Sequence, residues 1–117
     1  MLAAEARGAW LVARDEATAV LRENPRHRQA LFSLGTAELA RGRLPEARAA
    51  FRRLLEDHPH DLPALGNLAL AHAAAGDDAA ALLLWDRVLA LDPDDQRARI
   101  GRAKILERLG RGAPAPR

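Results

Sequence analysis

The sequence has no cysteine and no tyrosine, and aromatic residues make up 3% of it. Without cysteine there is no disulfide framework, no thiolate metal site and no cysteine nucleophile. Side-chain hydroxyls are confined to Thr18, Ser33 and Thr36, which supplies no nucleophile–base pair. A charge excess of either sign is also missing, because 18 basic residues against 16 acidic ones leave a net +2. Lys104 is the one lysine; with so much alanine, the arginine bias points to a GC-rich genome rather than to phosphate binding. No apolar run approaches the roughly 20 residues that a membrane-spanning helix needs. The stretch Met1–Arg7 lacks a basic n-region, and Glu5 and Arg7 interrupt any apolar core, so it does not read as a signal peptide. These absences set the expectation of a cytoplasmic chain, not an enzyme, with no membrane segment. Derivation from a longer protein would allow a periplasmic location instead.

What is present is periodic. Apolar residues make up 49% of the chain and charged residues 29%, a globular balance. Gly8, Gly42, Gly76 and Gly110 each stand 34 residues from the next. Pro25, Pro59 and Pro93 keep that spacing, as do Ala13, Ala47 and Ala81, the set Val20, Leu54 and Val88, and the set Leu21, Leu55 and Leu89. Agreement of several columns at one period is the mark of a repeat architecture. Within each unit the apolar residues recur three and four apart, as in Leu31, Leu34, Gly35 and Glu38, then Leu65, Leu68, Ala69 and His72. A second stripe carries Ala47, Phe51, Leu54 and Leu55, matched by Ala81, Trp85, Val88 and Leu89. This is amphipathic helix spacing, and no strand alternation accompanies it.

The punctuation fits pairs of helices. Gly42 and Gly76 sit where a first helix stops, since glycine enters the left-handed conformation without a Cβ penalty. Pro45 suits the first turn of the next helix, and Asp77 or Asp78 can cap the matching start one unit on. Pro59 and Pro93 prevent the second helices from continuing. Small residues (Gly35, Ala69, Ala47, Ala81) let paired backbones approach, while Phe51 and Trp85 fill the space between pairs.

These residues resemble the tetratricopeptide repeat, whose unit is a pair of antiparallel helices. The fold implied is all-α, a right-handed α-α superhelix, that is, a solenoid of antiparallel helical hairpins. Residues 62–95 match through Leu65, Leu68, Ala69, Gly76, Ala81, Trp85, Val88 and Leu91-Asp92-Pro93. Residues 28–61 match through Leu31, Leu34, Gly35, Gly42, Ala47, Phe51, Leu54 and Pro59. Residues 1–27 keep Gly8, Ala13, Ala17, Val20 and Pro25 but not a full first helix, so one continuous or slightly kinked helix is expected there. Residues 96–110 read as a C-terminal capping helix, with Arg99 and Arg102 in place of leucines. Residues 111–117 read as a disordered tail.

Candidate chemistry is sparse. Asp57, His58, His60 and Asp61 cluster in sequence but read as a solvated turn between units, and neither a metal nor a cofactor is expected. His72 stands where the family places an aromatic residue and reads as a packing histidine. Asp92, Asp94 and Asp95 lack the glycine and distal glutamate of a calcium loop and read as a turn and cap. Arg48, Arg52 and Arg53, and the arginines of the last helix, lack the basic field and stacking aromatics of a nucleic-acid site, so nucleic acid is not an expected partner.

The resemblance implies a protein or peptide partner, held in a concave groove lined by the first helix of each pair. The residues assigned to it are Phe32, Thr36 and Leu39 from one unit and Gly66, Asn67, Leu70 and Ala73 from the next. The terminal helix adds Arg97, Ile100, Lys104 and Arg108. Some members of the family clamp a C-terminal carboxylate there with lysine, asparagine and arginine. Asn67 and Arg97 could serve in such a clamp, but Phe32, Thr36 and Gly101 occupy its other positions, so the clamp is largely missing. The expected ligand is therefore an apolar or amphipathic peptide or helix, with a homo-oligomer through the same surface as the alternative.

Overall fold

The computed structural model describes residues 2–112, with side-chain surroundings for residues 7–110. Six helices follow one another: α1 (Leu2–Glu23), α2 (Arg28–Ala40), α3 (Leu44–Asp57), α4 (Leu62–Ala74), α5 (Asp78–Leu91) and α6 (Gln96–Gly112). Among the described residues there is no strand.

Each boundary has a local cause. The helices that open a unit begin at side-chain caps spaced by the repeat. His27 accepts from the Ala30 N–H at 3.1 Å, Asp61 from Ala64 at 3.0 Å and Asp95 from Ala98 at 2.9 Å. Asp77 caps α5 through the Ala80 N–H at 3.3 Å, while α3 has Pro45 in its first turn and no side-chain cap. The first helices stop at Gly42 and Gly76, the positive-φ glycines, with φ 76° and 83°. Beyond them the Arg43 and Asp77 N–H groups reach back to the Glu38 and His72 carbonyls at 2.8 and 2.9 Å, closing a Schellman motif at each turn.

Gly8 and Gly110 behave differently from the two turn glycines. Neither has a positive φ, and α1 passes through Gly8 without a break. The expected end of the last helix at Gly110 is corrected: α6 continues through it to Gly112. A glycine inside a helix costs only about 1 kcal/mol relative to alanine, too little to end it without a turn to satisfy the freed carbonyls. Residues 111 and 112, expected in a disordered tail, thus belong to α6; the rest of that tail, 113–117, lies outside the described residues.

Every helix packs on its neighbour in sequence, and α4 also meets α2 and α6, the other first helices, along one side of the molecule. The core runs the length of the stack, with Leu31, Phe51, Leu54, Leu65, Trp85 and Val88 its largest fully buried side chains. Full burial of such a side chain is worth about 1.5–3 kcal/mol. Gly35 is small because a Cβ there would lie 2.6 Å from the Phe51 ring; at Gly101 it would lie 2.4 Å from the Trp85 indole. Two arginines tie successive units on the outer side: Arg53 donates to the Pro25 carbonyl at 2.7 Å and Arg87 to the Pro59 carbonyl at 3.2 Å. The result is elongated, 57 × 36 × 22 Å with a radius of gyration of 15.6 Å. A compact domain of this length would have about 13 Å.

Candidate functional site on the inner helices

The face shared by α2, α4 and α6 holds the residues expected to line a groove, but they divide into a supporting layer and an exposed layer. Phe32 is half-buried, its ring edge-on to Phe51 with centroids 6.1 Å apart and an interplanar angle of 65°. The Arg28 guanidinium lies over its other side at 5.0 Å. Leu39 and Ala73 also pack against the core rather than standing open. Gly66 is buried beneath Arg97, whose guanidinium nitrogen is 2.8 Å from where a Cβ would stand.

Three further residues form a polar chain across the helices. The Asn67 amide donates to the Thr36 hydroxyl at 3.3 Å, and its carbonyl oxygen accepts from the Arg97 guanidinium. Asn67 is 9% exposed, and both ends of its amide are engaged. Arg97 also lies over the Trp85 ring at 5.8 Å. One residue from each inner helix is thereby linked, and a part-buried chain of hydrogen bonds centred on buried Asn67 favours one arrangement of the three helices.

The exposed layer is narrower than the sequence implied. Leu70 is 41% exposed and Ile100 53%, with Lys104 exposed on α6. Arg108, expected on the basic edge, instead pairs with Asp78 at the start of α5 and donates to the Ala73 carbonyl at 3.4 Å. It ties α6 to the α4–α5 turn.

The other titratable groups are engaged within the scaffold. Asp57 pairs with Arg26, while Asp61 caps α4 and forms a two-pronged ion pair with Arg28 at 2.8 and 3.0 Å. Burial pushes the Asp61 carboxyl up, but the Arg28 hydrogen bonds, the Ala64 N–H and the neighbouring positive charge outweigh it, leaving the group below its ordinary 3.8. Among the described residues no three His, Asp or Glu side chains converge as a metal site requires. His72 is 8% exposed, between Asp77 at 3.4 Å and Arg52 at 3.5 Å. Burial first, then the Arg52 and Arg48 charges, lower it below its ordinary 6.5 against the opposing pull of Asp77. Glu38, one repeat earlier, is likewise buried and is paired with Arg41 and Arg43.

Stacked antiparallel hairpins with an inner face built from their first helices define an α-helical repeat solenoid. The chain belongs to the tetratricopeptide repeat family, whose models match residues 2–62 and 38–105. It is 38% identical over 98 residues to "Cellulose synthase 2 operon protein C" of Komagataeibacter xylinus, matching 82% of this chain but spanning only 8% of that relative's length. Among solved structures it resembles the first tetratricopeptide domain of Spaghetti (RPAP3) bound to an HSP90 peptide. There the TM-score is 0.83 at 20% identity, over 87% of this chain and 81% of that one. The Sgt2 domain from Aspergillus fumigatus gives 0.81 at 22% identity, over 98% and 80% of the two chains. A repeat protein from Parabacteroides merdae gives 0.81 at 24%, over 92% and 41%. Among the described residues no helix is long and apolar enough to cross a membrane.

Proposed function

We propose that the chain is a protein-interaction scaffold that holds an apolar or amphipathic peptide or helix against the face of α2, α4 and α6. The observation that carries this reading is the pair of exposed aliphatic residues Leu70 and Ile100. They stand on two inner helices whose spacing is fixed beneath them by the Thr36–Asn67–Arg97 chain. Exposed apolar residues on a rigid concave face favour helix-in-groove recognition. Lys104 adds a cation to the same helix as Ile100, which favours a partner with an acidic flank. Among the described residues the buried polar side chains Glu38, Asn67 and His72 are each held by neighbouring side chains of the scaffold, which supports a binding face rather than a reactive one.

The peptide-bound neighbour supports peptide binding as a class rather than the same ligand. Gly101 lies against Trp85 and Asn67 is already satisfied on both sides, so a terminal carboxylate would have to break existing hydrogen bonds. The test is affinity capture with the wild-type chain and with Leu70→Asp/Ile100→Asp, both surface changes that leave the core intact. The partner is expected to be lost with the double variant. Capture that persists would refute the assignment of this face. The peptide SRMEEVD, found on the RPAP3 domain, is expected to bind this chain no better than about millimolar.

A further inference from the structure

Helix α3 carries three acids and three arginines, and their pairing leaves two arginines over. Glu46 pairs with Arg43 at 3.1 Å, Glu56 and Asp57 pair with Arg26, and Arg53 donates to the Pro25 carbonyl. Among the described residues Arg48 and Arg52 have no carboxylate partner. They stand four residues apart, so their side chains are neighbours on one face, where like charges destabilise a helix. Both α3 and α4 are interior to the described stack, each packed on helices to either side.

What the two arginines share is His72. A guanidinium nitrogen of Arg52 lies 3.5 Å from its Nε2, its Nδ1 is 3.4 Å from Asp77, and the Arg48 charge reaches the ring as well. One neutral tautomer serves both contacts, with Nδ1–H donating to Asp77 and Nε2 accepting from Arg52. Protonation puts a second N–H at Nε2, so Arg52 loses its acceptor and meets a like charge. The other charged pair at this end of α4, Arg108 with Asp78, is closed on itself.

The neighbouring junctions show that stacking does not require this arrangement. One period earlier Arg14 pairs with Asp15 at 2.8 Å, and Thr18 donates to the Arg14 carbonyl at 2.8 Å. One period later the places of Arg48 and Arg52 hold Leu82 and Asp86, and Asp86 pairs with Arg102 at 2.7 Å. Glu38, the counterpart of His72, shows what two arginines hold in this fold: a single buried oxyanion, gripped by Arg41 and Arg43.

We infer that Arg48 and Arg52 together bind one phosphate-type oxyanion, either free or carried on a partner's side chain. Two guanidinium forks offer more N–H donors than one carboxylate accepts, and they suit a tetrahedral group with three or four oxygens. His72 couples the site to pH, because its proton adds a positive charge beside the anion and releases Arg52 toward it. Binding therefore strengthens as pH falls, and by reciprocity the anion favours the protonated ring. The acid at the edge of the site, Asp77, is engaged by the His72 ring and by the Ala80 N–H. The site lies where α4 meets α3, outside the groove of Leu70 and Ile100, and does not rest on that reading.

Proton NMR of the four histidines in the whole chain tests it. The titration runs from about pH 5 to about pH 8, in sodium sulfate or in sodium chloride of equal ionic strength. Sulfate is the probe because its charge is constant over this range, whereas phosphate itself titrates near pH 6. The His72 resonance, identified by its loss in His72→Gln, should titrate at higher pH in sulfate, while His27, His58 and His60 show no such response. Sulfate is expected to bind about threefold or more tightly at the acid end than at the alkaline end. In Arg48→Gln/Arg52→Gln, both changes outside the core and checked for helicity by circular dichroism, the sulfate response should vanish. O-phosphoserine that competes with sulfate assigns a phosphorylated side chain as the ligand, and inorganic phosphate that competes alone assigns the free ion. No sulfate response at His72, an equal response at all four histidines, a response that survives the double variant, or competition by neither phosphate compound would each overturn the proposal.

Discussion

At the scale of single residues, the glycines separate by what lies against them. Gly35→Ala places a methyl 2.6 Å from a fully buried phenyl ring, and overpacking of this kind costs about 1–3 kcal/mol, more than the helix propensity that alanine restores. Gly8 has nothing within 4 Å of a would-be Cβ, so Gly8→Ala should raise stability by up to about 1 kcal/mol. Urea denaturation of the two variants should move in opposite directions. His72 gives the molecule a pH response. Its folded-state value lies below 6.5, so the neutral form is favoured by folding, and the unfolded chain binds the extra proton first as pH falls. The melting temperature should therefore hold above pH 6.5 and drop below it, and His72→Gln should flatten that slope. The sequence pattern identified His72 as a packing residue, since it falls on the apolar stripe. Its basic partner did not show there: Arg52 is 20 residues away on α3, and only the packing of α3 on α4 brings it to His72.

At the scale of helices, the boundaries were readable because their causes are local. Glycine at a left-handed turn, proline in a first turn and a side-chain cap each act within four residues, and the turn glycines and the caps at His27, Asp61 and Asp95 recur with the period. Gly110 misled because the same residue type ends a helix only when a closing turn follows it. How open the inner face is depends on something less local. Spacing assigns a residue to a face, but the winding of one hairpin on the next decides whether that face is open. Phe32 and Leu39 pack inward, while Leu70 and Ile100 do not. The Thr36–Asn67–Arg97 chain joins residues 31 and 30 apart, about one period less one helical turn, a spacing that could have been sought in the sequence. Ala81, fully buried between α4 and α5, tests the close approach of the paired helices: Ala81→Leu should cost about 1–3 kcal/mol in thermal melts.

At the scale of the whole molecule, a stack in which helices touch only near neighbours should lose its structure in steps rather than uniformly. Trp85 joins the last complete hairpin to α6 through Gly101. Trp85→Ala should therefore speed hydrogen exchange in α5 and α6 far more than in α2 and α3. Uniform loss of protection would show instead that the stack unfolds as one cooperative unit.

The ties from Arg53 to the Pro25 carbonyl and from Arg87 to the Pro59 carbonyl have a consequence for how such an array can lengthen. Each ends on a main-chain oxygen, which is present whatever side chain occupies the acceptor position. Only the arginine has to be inherited, with no matching change elsewhere in the gene. A segment copied in tandem therefore arrives with its own fastening already encoded, ready to close on whichever unit comes before it.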